Sequence, residues 1–184
     1  MLGLAVIFLS QLTGRQLVGD VDDGINGFMN LNAAIKLQSG ALPFRVPKHG
    51  KPEVLLVTTG PRGRWGIPKG KTEPYLTFDQ NAAKEAFEEA GVIGQVARLS
   101  SGKFRTGKRR GGDTERFLEV WVYMLAVERI ADDWPEKARR RIKWVRAKAA
   151  AKILREPFLA DLCRKLARAK STEDALEITL IPGL

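Results

Sequence analysis

The sequence predicts a mixed α/β domain. Strand-like runs stand on both sides of one well-capped amphipathic helix, and further helices close the chain. At 184 residues and 44% hydrophobic composition, the chain is long enough for a proper core. Such a length suits one compact domain of about 100 to 150 residues with additional terminal segments. The expected division is an N-terminal extension over residues 1–36, a domain over 37–170 and a tail over 171–184.

The extension opens with MLGLAVIFL, nine residues where roughly 20 are needed to span a bilayer. It has neither the basic n-region nor the small-residue cleavage site of a signal peptide, so a cytoplasmic location is expected. GDVDDGINGFMN has no sustained period and lacks the register and closing Glu of a calcium loop, which makes the extension loosely ordered. From Ser39 the pattern sharpens. ALPFRV and EVLLVTT read as adjacent strands separated by the turn-like PKHGKP. That turn contains His49, the only histidine, which excludes a multi-His metal site. TGPRGRWGIPKG follows as a tight Gly/Pro/Arg segment.

The helix comes next. Thr77 and Gln80 fit a T-x-x-Q capping box, Asp79 is a favourable first-turn charge, and Gly91 stands where a left-handed C-terminal cap belongs. Ala82, Ala83, Ala86, Phe87 and Ala90 form an apolar stripe offset from the acidic residues. Beyond it lie a strand-like VIGQVARL, a basic loop KFRTGKRRGGDTER and the long strand FLEVWVYMLAV. DDWPE turns the chain toward a short strand, IKWV, and a helix beginning near Arg146. PFLADLCRKLARA is a last amphipathic helix. Its Cys163 is the only cysteine, which excludes an intrachain disulfide and reads as a small core hydrophobe.

Thirty-one Lys and Arg against 21 Asp and Glu give a formal charge of +10 and a pI near 10.0. That excess favours a polyanionic partner: a polyphosphate, a nucleic acid or an acidic surface. Yet KEAFEEAG places Glu85, Glu88 and Glu89 within five residues. On a helix they share an arc of about 100°. Like charges at such spacing cost a few tenths of a kcal/mol unless compensated. Lys84 is one compensation; a bound Mg²⁺ or Mn²⁺, which prefers oxygen ligands, is another. By itself a Glu-rich turn reads as a solvated face.

GKT at Gly70–Thr72 invites a nucleotide P-loop, but the motif needs glycine where Trp65 stands, and Pro74 interrupts the helix that should follow. A better match runs from Gly70 to Val92. Its spacing resembles the Nudix box, G-x5-E-x7-R-E-U-x-E-E-x-G-U, with an intact E-U-x-E-E-x-G-U tail from Glu85 to Val92. Leu76 replaces the first Glu, Lys84 replaces the Arg and cannot supply its bidentate fork, and Ala86 is a small aliphatic substitute. Glu73, in the preceding loop, is a candidate replacement for the missing carboxylate. GRWGIPKG, VYMLAVERIADDWPE, IKWV and ILREP extend the resemblance over about residues 38–168. They are similar to the branch containing diphosphoinositol polyphosphate and diadenosine polyphosphate hydrolases.

The resemblance implies an α/β/α sandwich around a mixed β-sheet, dependence on Mg²⁺ or Mn²⁺, and cleavage of a phosphoanhydride bond in a polyphosphorylated small molecule. It makes Glu89 the leading metal ligand with Glu88 beside it, Glu85 either a further ligand or the base, and the Gly70 carbonyl a further donor. Arg62, Arg64, Lys69, Lys71, Lys108, Arg109 and Arg110 are the candidate substrate cations. Glu119 reads equally as an outer metal ligand or a plain surface residue, and Trp121, Trp134 and Trp144 read as packing rather than base-stacking platforms. An RNA 5′-end pyrophosphohydrolase is the enzymatic alternative. A catalytically inactive binding fold is the other, with Leu76 in its favour and the three glutamates against it. No membrane partner is expected.

Overall fold

The computed structural model describes residues 35–60, 62–108 and 116–180. Strands β1 (Ile35–Arg45), β2 (Glu53–Thr59), β3 (Arg64–Gly66) and β4 (Lys69–Lys71) precede helix α1 (Phe78–Ala90). Strands β5 (Val92–Val96), β6 (Gly102–Lys108), β7 (Arg116–Ile130) and β8 (Ile142–Arg146) follow it. Helices α2 (Ala147–Ile153), α3 (Pro157–Leu166) and α4 (Thr172–Leu176) close the described chain. No described helix is long and apolar enough to cross a membrane.

The strands form one mixed sheet ordered β3-β2-β1-β7-β5, with β4 on β1, β6 on β7 and β8 on β2. Its centre is the parallel ladder between β1 and β7, from Ile35 opposite Phe117 to Phe44 opposite Ala126. The other pairings are antiparallel.

Alternation along the strands divides the core into two layers, because successive side chains leave a strand on opposite faces. Leu42, Phe44, Val54, Leu56, Val120, Val122 and Met124 point to one face, where they meet Ala147, Ala150, Leu159, Leu162 and Leu166 of α2 and α3. Ala41, Leu55, Tyr123 and Leu125 point to the other, against Ala82, Ala86 and Ala90 of α1. The alanines let α1 sit close to the sheet. These layers make an α/β/α sandwich, as the motif resemblance implied. Cys163 is fully buried on the α3 side, and burial pushes its thiol up to about 12, which leaves it a packing residue.

The structure corrects several element boundaries. β1 starts at Ile35, four residues before Ser39, so the last two residues of the expected extension already belong to the sheet. Its opening, residues 35–38, alternates apolar and polar residues too briefly to mark a strand by itself, and pairing with β7 supplies the rest. Residues 1–34 lie outside the described residues. Residues 103–108, expected as the start of a basic loop, instead belong to strand β6, antiparallel to β7. The Gly/Pro/Arg segment contains two three-residue strands, β3 and β4. Residues 171–180 also carry structure: Ser171 caps α4 by accepting the Asp174 N–H at 3.0 Å, and Leu180 N–H donates to the Ser101 carbonyl at 2.7 Å.

Candidate active site

Helix α1 carries the acidic cluster and is fixed at both ends. At its start, Thr77 N–H donates to Gln80 Oε1 at 3.0 Å, completing the expected box. At its end, Gly91 has φ +66°, and its N–H caps the carbonyls of Ala86 and Phe87. A side chain there would sit 2.5 Å from the Trp134 ring, so glycine is required by space as well as by conformation. Asn81, which sequence reasoning missed, is buried and pins the approach to α1. Its Oδ1 accepts the Glu73 N–H at 2.9 Å, while Nδ2 donates to the Leu76 and Thr77 carbonyls at 3.2 and 2.9 Å.

Gly70 and Glu85 meet directly. A Cβ on Gly70 would lie 1.9 Å from Glu85 Oε1, so the carboxylate occupies the space that the absent side chain leaves against β4. Burial, followed by the Glu88 charge, holds the Glu85 carboxyl above its ordinary range. Glu89 is more enclosed, at 5% exposure, and burial pushes it up to about 7 against the opposing pulls of Arg140 and Lys69. Arg140 pairs with Glu89 Oε1, whereas Oε2 is buried without a partner.

Glu88 belongs to a second group. Lys84 Nζ lies 2.6 Å from Glu88 Oε2 and 3.2 Å from Glu73 Oε1, so one ammonium bridges helix and loop. Glu73 thereby brings a carboxylate to the Lys84 end of the group. The hydrogen bond from Tyr75, and then Lys84, holds Glu73 below its usual range.

Two further residues escaped sequence reasoning. Arg140 reaches the cluster from the segment before β8: Nε pairs with Glu136 Oε2 at 2.6 Å, and Nη1 donates to the Thr58 carbonyl at 2.9 Å. Glu136 N–H donates to the Glu88 carbonyl at 3.0 Å, which fixes this segment to α1. Arg140 and Glu136 line a cavity of about 700 Å³ with Gly60 and Gly63. Arg140 stands in the run Arg139–Arg141, and no local pattern distinguishes it from its neighbours.

The candidate substrate cations separate. Arg64 and Lys69 line one cleft of about 640 Å³ together with Trp65, Phe104 and Arg155. Arg62 is exposed in the turn before β3, and Lys71 is exposed beside Gly70. The side chain of Lys108, and all of Arg109 and Arg110, lie outside the described residues. Glu119 is not a plain surface residue. It is buried, and its two oxygens are held by Lys103 and Arg105 at 2.9 Å each, which keep its carboxyl below the usual range. Trp121 packs edge-on against Phe78, Trp134 lies against Gly91, and Arg45 covers Trp144 at 4.1 Å.

The available donors are hard oxygens, and the unpartnered Glu89 Oε2 gives a cation something to gain, so their chemistry fits Mg²⁺ or Mn²⁺. Among the described residues, no group of three acidic, His or Cys side chains is gathered closely enough to hold an ion as it stands. Lys84 engages Glu88, and Arg140 engages Glu89.

An α/β/α sandwich that presents clustered carboxylates from one helix beside a glycine strand defines a class of phosphoanhydride hydrolases. The NUDIX domain model matches residues 36–166, and the chain belongs to the Nudix hydrolase family, whose members generally use divalent metals. It is 34% identical over 136 residues to the bovine (Bos taurus) diphosphoinositol polyphosphate phosphohydrolase 3-beta, covering 71% of this chain and 77% of that protein. Among solved structures, a Nudix hydrolase from Alicyclobacillus acidocaldarius aligns with a TM-score of 0.58 at 13% identity, covering 80% of this chain and 98% of that one. The Ap4A hydrolase of C. elegans aligns with a TM-score of 0.50 at 23% identity, covering 71% and 95%. Both structures share the fold.

Proposed function

We propose that this enzyme hydrolyses a phosphoanhydride bond in a diphosphoinositol or dinucleoside polyphosphate substrate, using Mg²⁺ or Mn²⁺ held by Glu85, Glu88, Glu89 and the Gly70 carbonyl. The observation that carries this reading is the Glu85 carboxylate lying over Gly70, next to a Glu89 with one enclosed, unpartnered oxygen. The 34% identity to a diphosphoinositol polyphosphate phosphohydrolase supports the substrate class.

A divalent ion bound there would neutralise phosphate charge and lower the pKa of a bound water. The protein's own groups do the rest. Glu89 is kept in one orientation by Arg140, leaving its second oxygen free to ligate. Glu85, whose burial favours the protonated carboxyl, suits the acceptor of the attacking water's proton. Arg64, Lys69 and Arg155 offer positive charge to the phosphate chain along one cleft. Arg can grip a phosphate with two parallel hydrogen bonds, whereas Lys acts as a point charge. The Glu73–Lys84–Glu88 bridge argues against an inactive fold, because it restores a carboxylate near the cluster despite Leu76.

An Mg²⁺-dependent panel tests the reading with diadenosine polyphosphates, diphosphoinositol phosphates, ADP-ribose, nucleoside triphosphates and 5′-triphosphorylated RNA. Turnover should be highest on the first two. Preferential release of pyrophosphate from RNA establishes the 5′-end alternative instead, and no turnover on any member favours a binding role.

A further inference from the structure

A second basic site lies away from the glutamates. Lys51, Arg146, Lys148, Lys152, Arg164 and Arg168 line a groove of about 750 Å³ between the start of β2 and helices α2 and α3. Ala147 N–H donates to the Pro52 carbonyl at 2.8 Å and ties the two sides together. Thr58, which contacts Arg140, is near the other end of β2, six residues from Pro52 or roughly 20 Å at the rise of a strand.

No carboxylate lines the groove. Arg164 pairs with Asp161 on its own helix, and the other five cations have no ion pair among the described residues. Some of this charge has a local explanation. Lys152 and Arg164 stand in the last turns of α2 and α3, where positive charge complements the helix dipole. Arg146 and Lys148 stand at the opposite end of α2, whose first turn has no acidic residue, and gain nothing from that effect. Lys148 and Lys152 are also four apart on one helix, a spacing at which like charges repel by a few tenths of a kcal/mol. A bound polyanion would offset both penalties.

The remaining lining residues are Pro52, Ala151 and Ala167. They provide neither an aromatic ring for base stacking nor a large apolar side chain for insertion into lipid. The walls are concave, which suits a strand better than a flat bilayer. We infer that this groove binds the phosphate backbone of single-stranded nucleic acid without reading base sequence.

The test uses the full chain and a 20-nucleotide single-stranded RNA carrying fluorescein at its 5′ end, which leaves no 5′ phosphate for hydrolysis. Anisotropy is followed against salt for the wild type, K148Q/K152Q, R146Q/R168Q and R62Q/R64Q. Each groove variant should raise Kd about tenfold at low salt and flatten the log–log salt slope by about 1.4, two contacts at roughly 0.7 each for a single strand. Mg²⁺-dependent hydrolysis should be unchanged in both groove variants, which also reports that they fold. Two unrelated RNA sequences should bind alike. Wild-type affinity in both groove variants overturns the inference, as does loss of binding only in R62Q/R64Q, which would place RNA at the hydrolytic cleft. Binding to phosphatidylserine vesicles but not to RNA assigns the groove to membranes and also overturns it.

Discussion

At the scale of single residues, the site depends on where carboxylate oxygens are held. Glu89→Gln preserves shape but removes the anionic ligand. It should abolish most Mg²⁺-dependent turnover with an unchanged circular dichroism spectrum; a wild-type rate across a metal titration would refute the ligand assignment. Gly70→Ala must displace the Glu85 carboxylate, since its Cβ would sit 1.9 Å from Oε1. The end of a side chain moves cheaply, so thermal stability should change little while kcat falls, by about 100-fold if the displacement reaches 1 Å. Because burial pushes the Glu89 carboxyl up to about 7, a proton competes with a metal below that pH. Mn²⁺ affinity should therefore weaken up to about tenfold per unit as pH falls below 7, and flatten above it. Calorimetric titration at several pH values checks this, and the Glu89→Gln variant should lose the part of the dependence centred near 7. Gly70 and the three glutamates could be nominated from sequence because one glycine and one helix carry them at fixed spacing. Arg140 could not, because its role comes from a contact 51 positions away with Glu89.

At the scale of elements, α1 was the most legible because both its signals are local: a capping box at Thr77 and a left-handed glycine at 91. The glycine also receives the Trp134 ring, a contact no local pattern announces. Gly91→Ala should destabilise the protein by about 2 kcal/mol or more, of which 1–2 kcal/mol is the left-handed backbone penalty. A shift of the urea midpoint at unchanged m-value measures it. β6 was hidden for a different reason. Its KFRTGK pattern carries charge at Lys103, Arg105 and Lys108, and the first two are neutralised by Glu119 across the ladder from β7. Charge read along the chain suggested solvent, whereas charge read across the sheet is paired. β3 and β4, at three residues each, are too short for any periodicity to mark.

At the scale of the whole molecule, a mixed α/β domain was legible from the strand–helix alternation and its layered packing from the family motif, but the central pairing was not. Nothing in residues 35–44 names β7 as a partner, although the ladder comprises ten residue pairs. A chain beginning at Ile35 should keep that ladder and melt cooperatively; one beginning at Gly40 loses the first five pairs and should fail to do so. Calorimetry of the two truncations decides whether residues 35–39 belong to the domain. That parallel ladder also sets an order of events during synthesis. β1 is the first of the described elements to be made, yet its partner on one side lies roughly 80 residues later, with six of the other described elements between them. Closing so long a loop costs entropy before any ladder bond repays it. Until β7 has left the ribosome, the longest edge of β1 is open to other chains, and a nascent protein stalled before residue 116 should be the species that chaperones must hold.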